Sequence, residues 1–176
     1  MKYAAFLRGM NVGGHRLTNV ELCGHIEAIG FTGVAAFLAS GNVAFDAGRK
    51  TGVGARIEKG LRQALGYDVP TFLRTADEVV AIAERKVFDD ALVQARGKEQ
   101  ILLLREEPGD EAKNVVLDLA SDDDRLEFRG RELHWLPRAG VLDTDVDFKL
   151  VERTIGPTTV RTKNTIVRFA AKHFAA

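Results

Sequence analysis

Residues 2–46 read KYAAFLRGMNVGGHRLTNVELCGHIEAIGFTGVAAFLASGNVAFD, and this stretch decides the fold. Tyr3, Ala5 and Leu7 alternate with Ala4 and Phe6, which predicts a strand over 2–8. A glycine loop follows from Gly9 to Gly14. Thr18 and Glu21 have the spacing of a capping box, so a helix starts there. Its apolar residues Leu22, Cys23, Ile26 and Ile29 recur every three or four positions, and Gly30 ends it. Residues 34–39 and 43–46 then form two strands joined at Ser40-Gly41-Asn42. Strand, helix and hairpin in that order open a split βαβ unit.

Outward from this stretch the rhythm continues. A helix is expected over 53–65, a strand over 69–74, and a helix from the Thr75/Glu78 capping box to about Arg85. The second half starts again with a strand at 101–105 and a helix over 110–119. Strands at 126–128 and 132–136 turn around Arg129-Gly130, and a short helix covers 145–153. The last helix runs from about Asn164 to His173. The order predicts an α+β fold of two ferredoxin-like (split βαβ) halves, with antiparallel sheets and helices packed on one face. The halves are 1–88 and 98–176, joined by a linker at 89–97. They share element order, and no residue-level repeat supports the pairing.

The 176 residues carry 25 basic and 25 acidic side chains, so the net charge is zero. With 45% hydrophobic residues, this composition excludes a disordered chain. The charge is uneven. Residues 1–17 hold Lys2, Arg8 and Arg16 and no acid, and residues 151–176 hold five cations against Glu152. If the two ends met, they would make a local positive field. The single cysteine excludes an intrachain disulfide, and no signal peptide or membrane span is readable, so a cytoplasmic protein with no membrane association is expected.

Few motifs carry chemistry. The loop Gly9 to Arg16 falls short of a phosphate-binding GxxxxGK[ST] loop, because His15 stands for the lysine and Arg16 for the hydroxyl residue. Glycines ahead of a helix still expose backbone N–H groups that suit an anion. Ser40 lacks a nucleophile elbow, and Asp143, Asp145 and Asp147 lack the glycine and glutamate of a calcium loop. Asp122 to Asp124 read as a solvated turn. His15, His25, His134 and His173 show no metal-ligand spacing, and Cys23 reads as a buried, inert thiol. No metal, no cofactor and no catalytic motif is identified, and whether the protein is an enzyme stays open. Residues 158–165 are the richest in donors. Arg161 and Lys163 alternate just ahead of a helix whose macrodipole they oppose, a conflict that an anionic ligand resolves.

Three segments together resemble a known family: Phe6-Leu-Arg-Gly-Met-Asn-Val-Gly-Gly14, Ala39-Ser-Gly-Asn-Val43, and Thr159-x-Arg161-x-x-Asn164-Thr165. They are similar to the bacterial "domain of unknown function 1697" proteins, and Gly66-Tyr67 and Phe72-Leu-Arg-Thr75 also fit. Thr162 and Lys163 depart from the asparagine and tryptophan common in that family's last segment. The resemblance implies paired ferredoxin-like halves and brings no activity with it.

The residues therefore predict a protein that binds a phosphorylated or otherwise anionic small molecule. Arg8 and Arg161 would clamp the anion and Lys163 would add charge. Asn11, Ser40, Asn42, Asn164 and Thr165 would supply neutral hydrogen bonds, with the Gly13–Gly14 backbone closing on the ligand. Nucleic-acid binding is the alternative, disfavoured by 7% aromatic residues and zero net charge. An enzyme at the same polar cluster, with His15 as acid/base, is the third reading and a protein-interaction module without a small ligand the fourth, and the oligomeric state is not legible.

Overall fold

The alternation at the N-terminus becomes strand β1 (Lys2–Leu7) of a four-stranded antiparallel sheet. A computed structural model of the chain describes residues 1–11, 14–48, 51–138 and 140–174. It divides into two units, Met1–Ala81 with Phe169–Ala176, and Ile82–Arg168.

In the first unit β1 leads to α1 (Asn19–Ala28), the hairpin β2 (Thr32–Phe37) and β3 (Asn42–Asp46), α2 (Val53–Leu65) and β4 (Thr71–Thr75). The sheet order is β2-β3-β1-β4, so β3 splits the β1-α1-β2 crossover. Thr18 caps α1 as the sequence requires. Its hydroxyl accepts from the Glu21 amide, and the Glu21 carboxylate accepts from the Thr18 amide at 2.8 Å. The Thr18 amide and the Thr18 hydroxyl both donate to that carboxylate and hold it below its ordinary range. Tyr3, Ala5 and Leu7 join Val43 and Phe45 beneath Leu22 and Ile26 of α1 and Ile57 and Leu61 of α2. The opposite face puts Phe6 and Phe37 against Phe169, with ring centroids 5.7 and 5.6 Å apart.

The second unit repeats the path. It takes over within helix α3 (Ala76–Glu84), which starts from the Thr75/Glu78 capping box. The stretch expected as a linker carries helix α4 (Asp90–Arg96), capped by Asp89. Then come β5 (Gln100–Leu103), α5 (Asp110–Leu117), β6 (Asp124–Arg129), β7 (Glu132–Pro137), α6 (Phe148–Ile155) and β8 (Thr159–Thr162), and α7 (Lys163–His173) closes the chain. The sheet order is β6-β7-β5-β8, again antiparallel throughout. Leu102, Leu133 and Trp135 meet Val116 of α5 and Val151 of α6 on one face. The α+β class thus holds in both halves.

Some expectations change. β8 supplies a fourth strand that was read only as a terminal extended segment. Asp124 is buried in place of lying in a solvated turn, because its carboxylate accepts from Trp135 Nε1 at 2.6 Å and Thr144 at 2.9 Å. α6 is capped by Asp147. Cys23 is half-buried.

A residue-level repeat also exists where none was expected. Tyr3 pairs with Phe45 and Thr75, as Gln100 pairs with Trp135 and Thr162. On that register Arg74 corresponds to Arg161. Both are buried, and each donates from a guanidinium nitrogen to the carbonyl of the residue before it, Leu73 at 2.9 Å and Val160 at 2.7 Å. Each is followed by a threonine, Thr75 or Thr162, whose hydroxyl accepts from an amide three residues on and caps the next helix. The Leu7 amide donates to Gly41, and the corresponding Leu104 amide to Arg131.

Candidate functional site

The expected site residues divide between the units. Arg8, Asn11, Gly14, Ser40 and Asn42 belong to the first, and Arg161, Lys163, Asn164 and Thr165 to the second. Gly13 lies outside the described residues.

In the first unit the Ser-Gly-Asn turn meets the end of β1, from which the glycine loop departs. Leu7 N donates to Gly41 O at 2.8 Å. Gly41 has φ +68, and a Cβ there would lie 3.0 Å from Leu7 Cβ, so this approach needs glycine. Asn42 is fully buried, and its amide donates to Phe37 O at 3.0 Å and to Ser40 Oγ at 2.8 Å. Asn11 Oδ1 accepts from Leu17 N at 2.8 Å, and the Tyr67 hydroxyl donates to Met10 O at 2.9 Å. His15 stacks on Tyr67. Arg8 is half-buried, and its backbone amide donates to Pro70 O. Gly14 has φ +87 and open space around it. The two asparagines therefore brace their own loops.

In the second unit Arg161 lies on β8 with its guanidinium donating to Thr159 Oγ1 at 2.9 Å as well as to Val160 O. Burial draws its pKa down to about 10. The Lys163 ammonium donates to Ile82 O at 2.6 Å and Arg85 O at 2.5 Å, carbonyls at the C-terminal end of α3. A cation there complements the helix macrodipole. Burial holds the Lys163 pKa below its ordinary value, the Arg85 charge lowers it further, and the Glu99 charge opposes both. Thr162 caps α7 by accepting from Thr165 N at 3.1 Å, and the two hydroxyls hydrogen-bond to each other at 2.9 Å. Asn164 is exposed.

Thr162, Lys163 and Asn164, but neither Arg161 nor Thr165, line a cleft of about 330 Å³ together with Lys98 and Glu99, with Val93 and Val167 as apolar walls. Glu99 is buried, and its Oε1 lies 2.6 Å from Nδ1 of His134, which has no solvent exposure. His134 Nε2 is buried without a partner. Sequence reasoning missed Lys98, Glu99 and His134. The first two fell in or beside a stretch read as a hinge, and His134 was weighed only for metal spacing. The available signal was a histidine between the apolar residues Leu133 and Trp135 of a strand. Among the described residues no group of three or more His, Cys, Asp or Glu is placed to hold a metal ion. No helix among them is long and apolar enough to cross a membrane.

The chain belongs to the family described as "Protein of unknown function (DUF1697)", whose model matches residues 1–134. The match takes in the glycine loop, the Ser-Gly-Asn turn and His134, and ends before the 159–165 segment. A solved structure, described as conserved bacterial protein SP0830 from Streptococcus pneumoniae, has the same fold with a TM-score of 0.75. The two are 17% identical, and the likeness covers 99% of this chain and 98% of that one. A comparison with curated proteins finds no match.

Proposed function

We propose that this protein binds a small phosphorylated or otherwise anionic ligand, and that the cleft beside the start of α7 holds it. The observation that carries this reading is the situation of Lys163 within the cleft. Its ammonium is half-buried, and burial disfavours its charged form, with Glu99 opposing that effect and Arg85 adding to it. Two of its three donors are used by the Ile82 and Arg85 carbonyls, which leaves one for a ligand. An anion in the cleft would favour the charged amine and would also meet the positive end of α7. Lys98 adds a second cation at the lining and Asn164 an exposed amide. The volume suits a small molecule. In the first unit Asn11 and Asn42 already hold their own loops, so the reading rests on the second unit.

The test is a thermal-shift screen of wild type, Lys98→Ala and Asn164→Ala. The panel holds phosphorylated metabolites, nucleotides and short DNA and RNA oligomers. A ligand that binds only the folded state at about 100 times its Kd adds about 2.7 kcal/mol. That corresponds to a rise in Tm of about 5–10 °C at this chain length. The expected result is such a rise for a small phosphorylated compound, reduced in both variants. No shift anywhere, or an equal shift in all three proteins, would overturn the reading. A shift confined to oligomers and abolished by salt would assign the basic groups to nucleic acid instead.

A further inference from the structure

We propose that the cleft selects an anion that also carries an ammonium group, with Glu99 reading the ammonium and His134 acting as the positioning residue for Glu99. The inference rests on the anion-binding reading and narrows its ligand class.

Glu99 is an acid in a place meant for an anion. Its side chain is only 8% exposed, yet it lines the same cleft as Lys98 and Lys163. One carboxylate oxygen is fixed by His134. Among the described residues that is the carboxylate's only hydrogen bond, so Oε2 has no partner. Among the described residues the sealed, unpartnered side-chain polar atoms are His134 Nε2 and His173 Nε2, and Glu99 Oε2 is not one of them. It therefore opens into the cleft. A carboxylate fixed through one oxygen, with the other facing a cleft, is placed to accept from a donor that enters the cleft.

An ionised Glu99 keeps the His134 proton on Nδ1 and leaves Nε2 as the bare nitrogen. With no exposure and a 2.6 Å contact, the imidazole holds the carboxylate in one orientation. The shared scaffold does not demand this pair. On the register that aligns the units, Lys2, Ala44 and Ala76 of the first stand where the second has Glu99, His134 and Lys163. The first unit forms the same sheet without them.

Two cations and one carboxylate make a mixed cleft. A bare dianion would gain from Lys98 and Lys163 but meet the Glu99 charge at close range. An anion with an ammonium a few bonds away satisfies both signs. The anion can be a phosphate or a carboxylate, since both accept from ammonium groups.

Isothermal titration calorimetry on wild type decides the point with two matched pairs, O-phosphoethanolamine against ethyl phosphate and β-alanine against propionate. Within each pair only the amine differs, and the pairs distinguish phosphate from carboxylate. The expected result is at least tenfold tighter binding of the amine-bearing member of one pair, about 1.4 kcal/mol. Glu99→Gln and His134→Gln should each bring that ratio below about threefold while ethyl phosphate or propionate still binds, a change that a general loss of stability would not produce. Equal binding within each pair by wild type overturns the inference and leaves the anion reading standing. No binding by any of the four overturns both. If either variant fails to fold, the wild-type ratio still decides.

Discussion

The two units follow one chain path with different contents, and the difference separates what builds the fold from what is added to it. Arg74 and Arg161 are shared, as are the capping threonines after them and the amide bonds from Leu7 and Leu104 to the hairpin turns. The Arg-Thr steps recur because each ends an edge strand and starts a helix, and the amide bonds because each ties a central strand to the hairpin turn beside it. The helix caps differ only in partner. Glu78 completes a box at Thr75, whereas Thr165 offers Thr162 a hydroxyl. Glu99, His134 and Lys163 have no counterparts in the first unit. Nothing in the repeated architecture requires a buried acid beside a buried imidazole, so their place in the second unit reflects that unit's cleft.

The sharpest way to break the comparison is to remove the shared arginines one at a time. Arg161→Met leaves Thr159 Oγ1 and Val160 O without their guanidinium donor in a buried setting. Arg74→Met does the same to Leu73 O. Each should cost about 1.5–3 kcal/mol, the range for a lost hydrogen bond from a charged group. Urea denaturation of the three proteins measures it. If the arginines are equivalent scaffold parts, the two losses agree within about 1 kcal/mol, a tolerance set by context dependence. A large loss for Arg74 with a negligible one for Arg161 would remove Arg161 from the scaffold.

A smaller effect probes how the first unit seats its helices. Gly60 lies in the middle of α2, where alanine would ordinarily gain about 1 kcal/mol of helix propensity. A Cβ at Gly60, however, would sit 2.4 Å from Ile29 Cγ1. Gly60→Ala should therefore destabilise by about 1–3 kcal/mol, the usual result of overpacking. Gly54→Ala, in the same helix with open space around the position, should be neutral or stabilising. If Gly60→Ala were also stabilising, α1 would not depend on this approach to α2.

Much of this was legible in the residues. Both capping boxes, the α2 boundaries and the Ser-Gly-Asn turn follow from local chemistry that the chain states directly. β8 was harder, because Thr159–Thr162 is four residues long and carries a polar side chain at three of its positions. Its strand state comes from pairing with β5, a contact distant in sequence. The repeat was hidden for a related reason. It survives at the Arg-Thr steps and in the register, while the intervening side chains have changed. The cleft depends on the α4 end, the start of β5 and the start of α7, three places that only tertiary structure joins. The charge pattern singles out Arg161 and Lys163 as cations at the start of α7. That both donate to backbone carbonyls could not be read from spacing.

The smallest effect contrasts two histidines, His134 and His173, whose Nε2 atoms are buried without a partner. His134 has a carboxylate on its other nitrogen, whereas His173 packs among Phe37, Phe169 and Phe174. Burial lowers the His173 pKa below its ordinary 6.5, and the charges of Lys172 and Lys2 lower it further. The unfolded chain therefore takes up this proton at higher pH than the folded one does. The neutral ring's contribution is complete above pH 6.5 and is lost as the pH falls through the lowered folded value. An NMR titration should place the His173 midpoint below 6.5. The stability difference between wild type and His173→Phe should be flat above neutrality and shift against wild type on acidification. A midpoint above the ordinary value would mean that a negative group faces this ring, and the contrast with His134 would then dissolve.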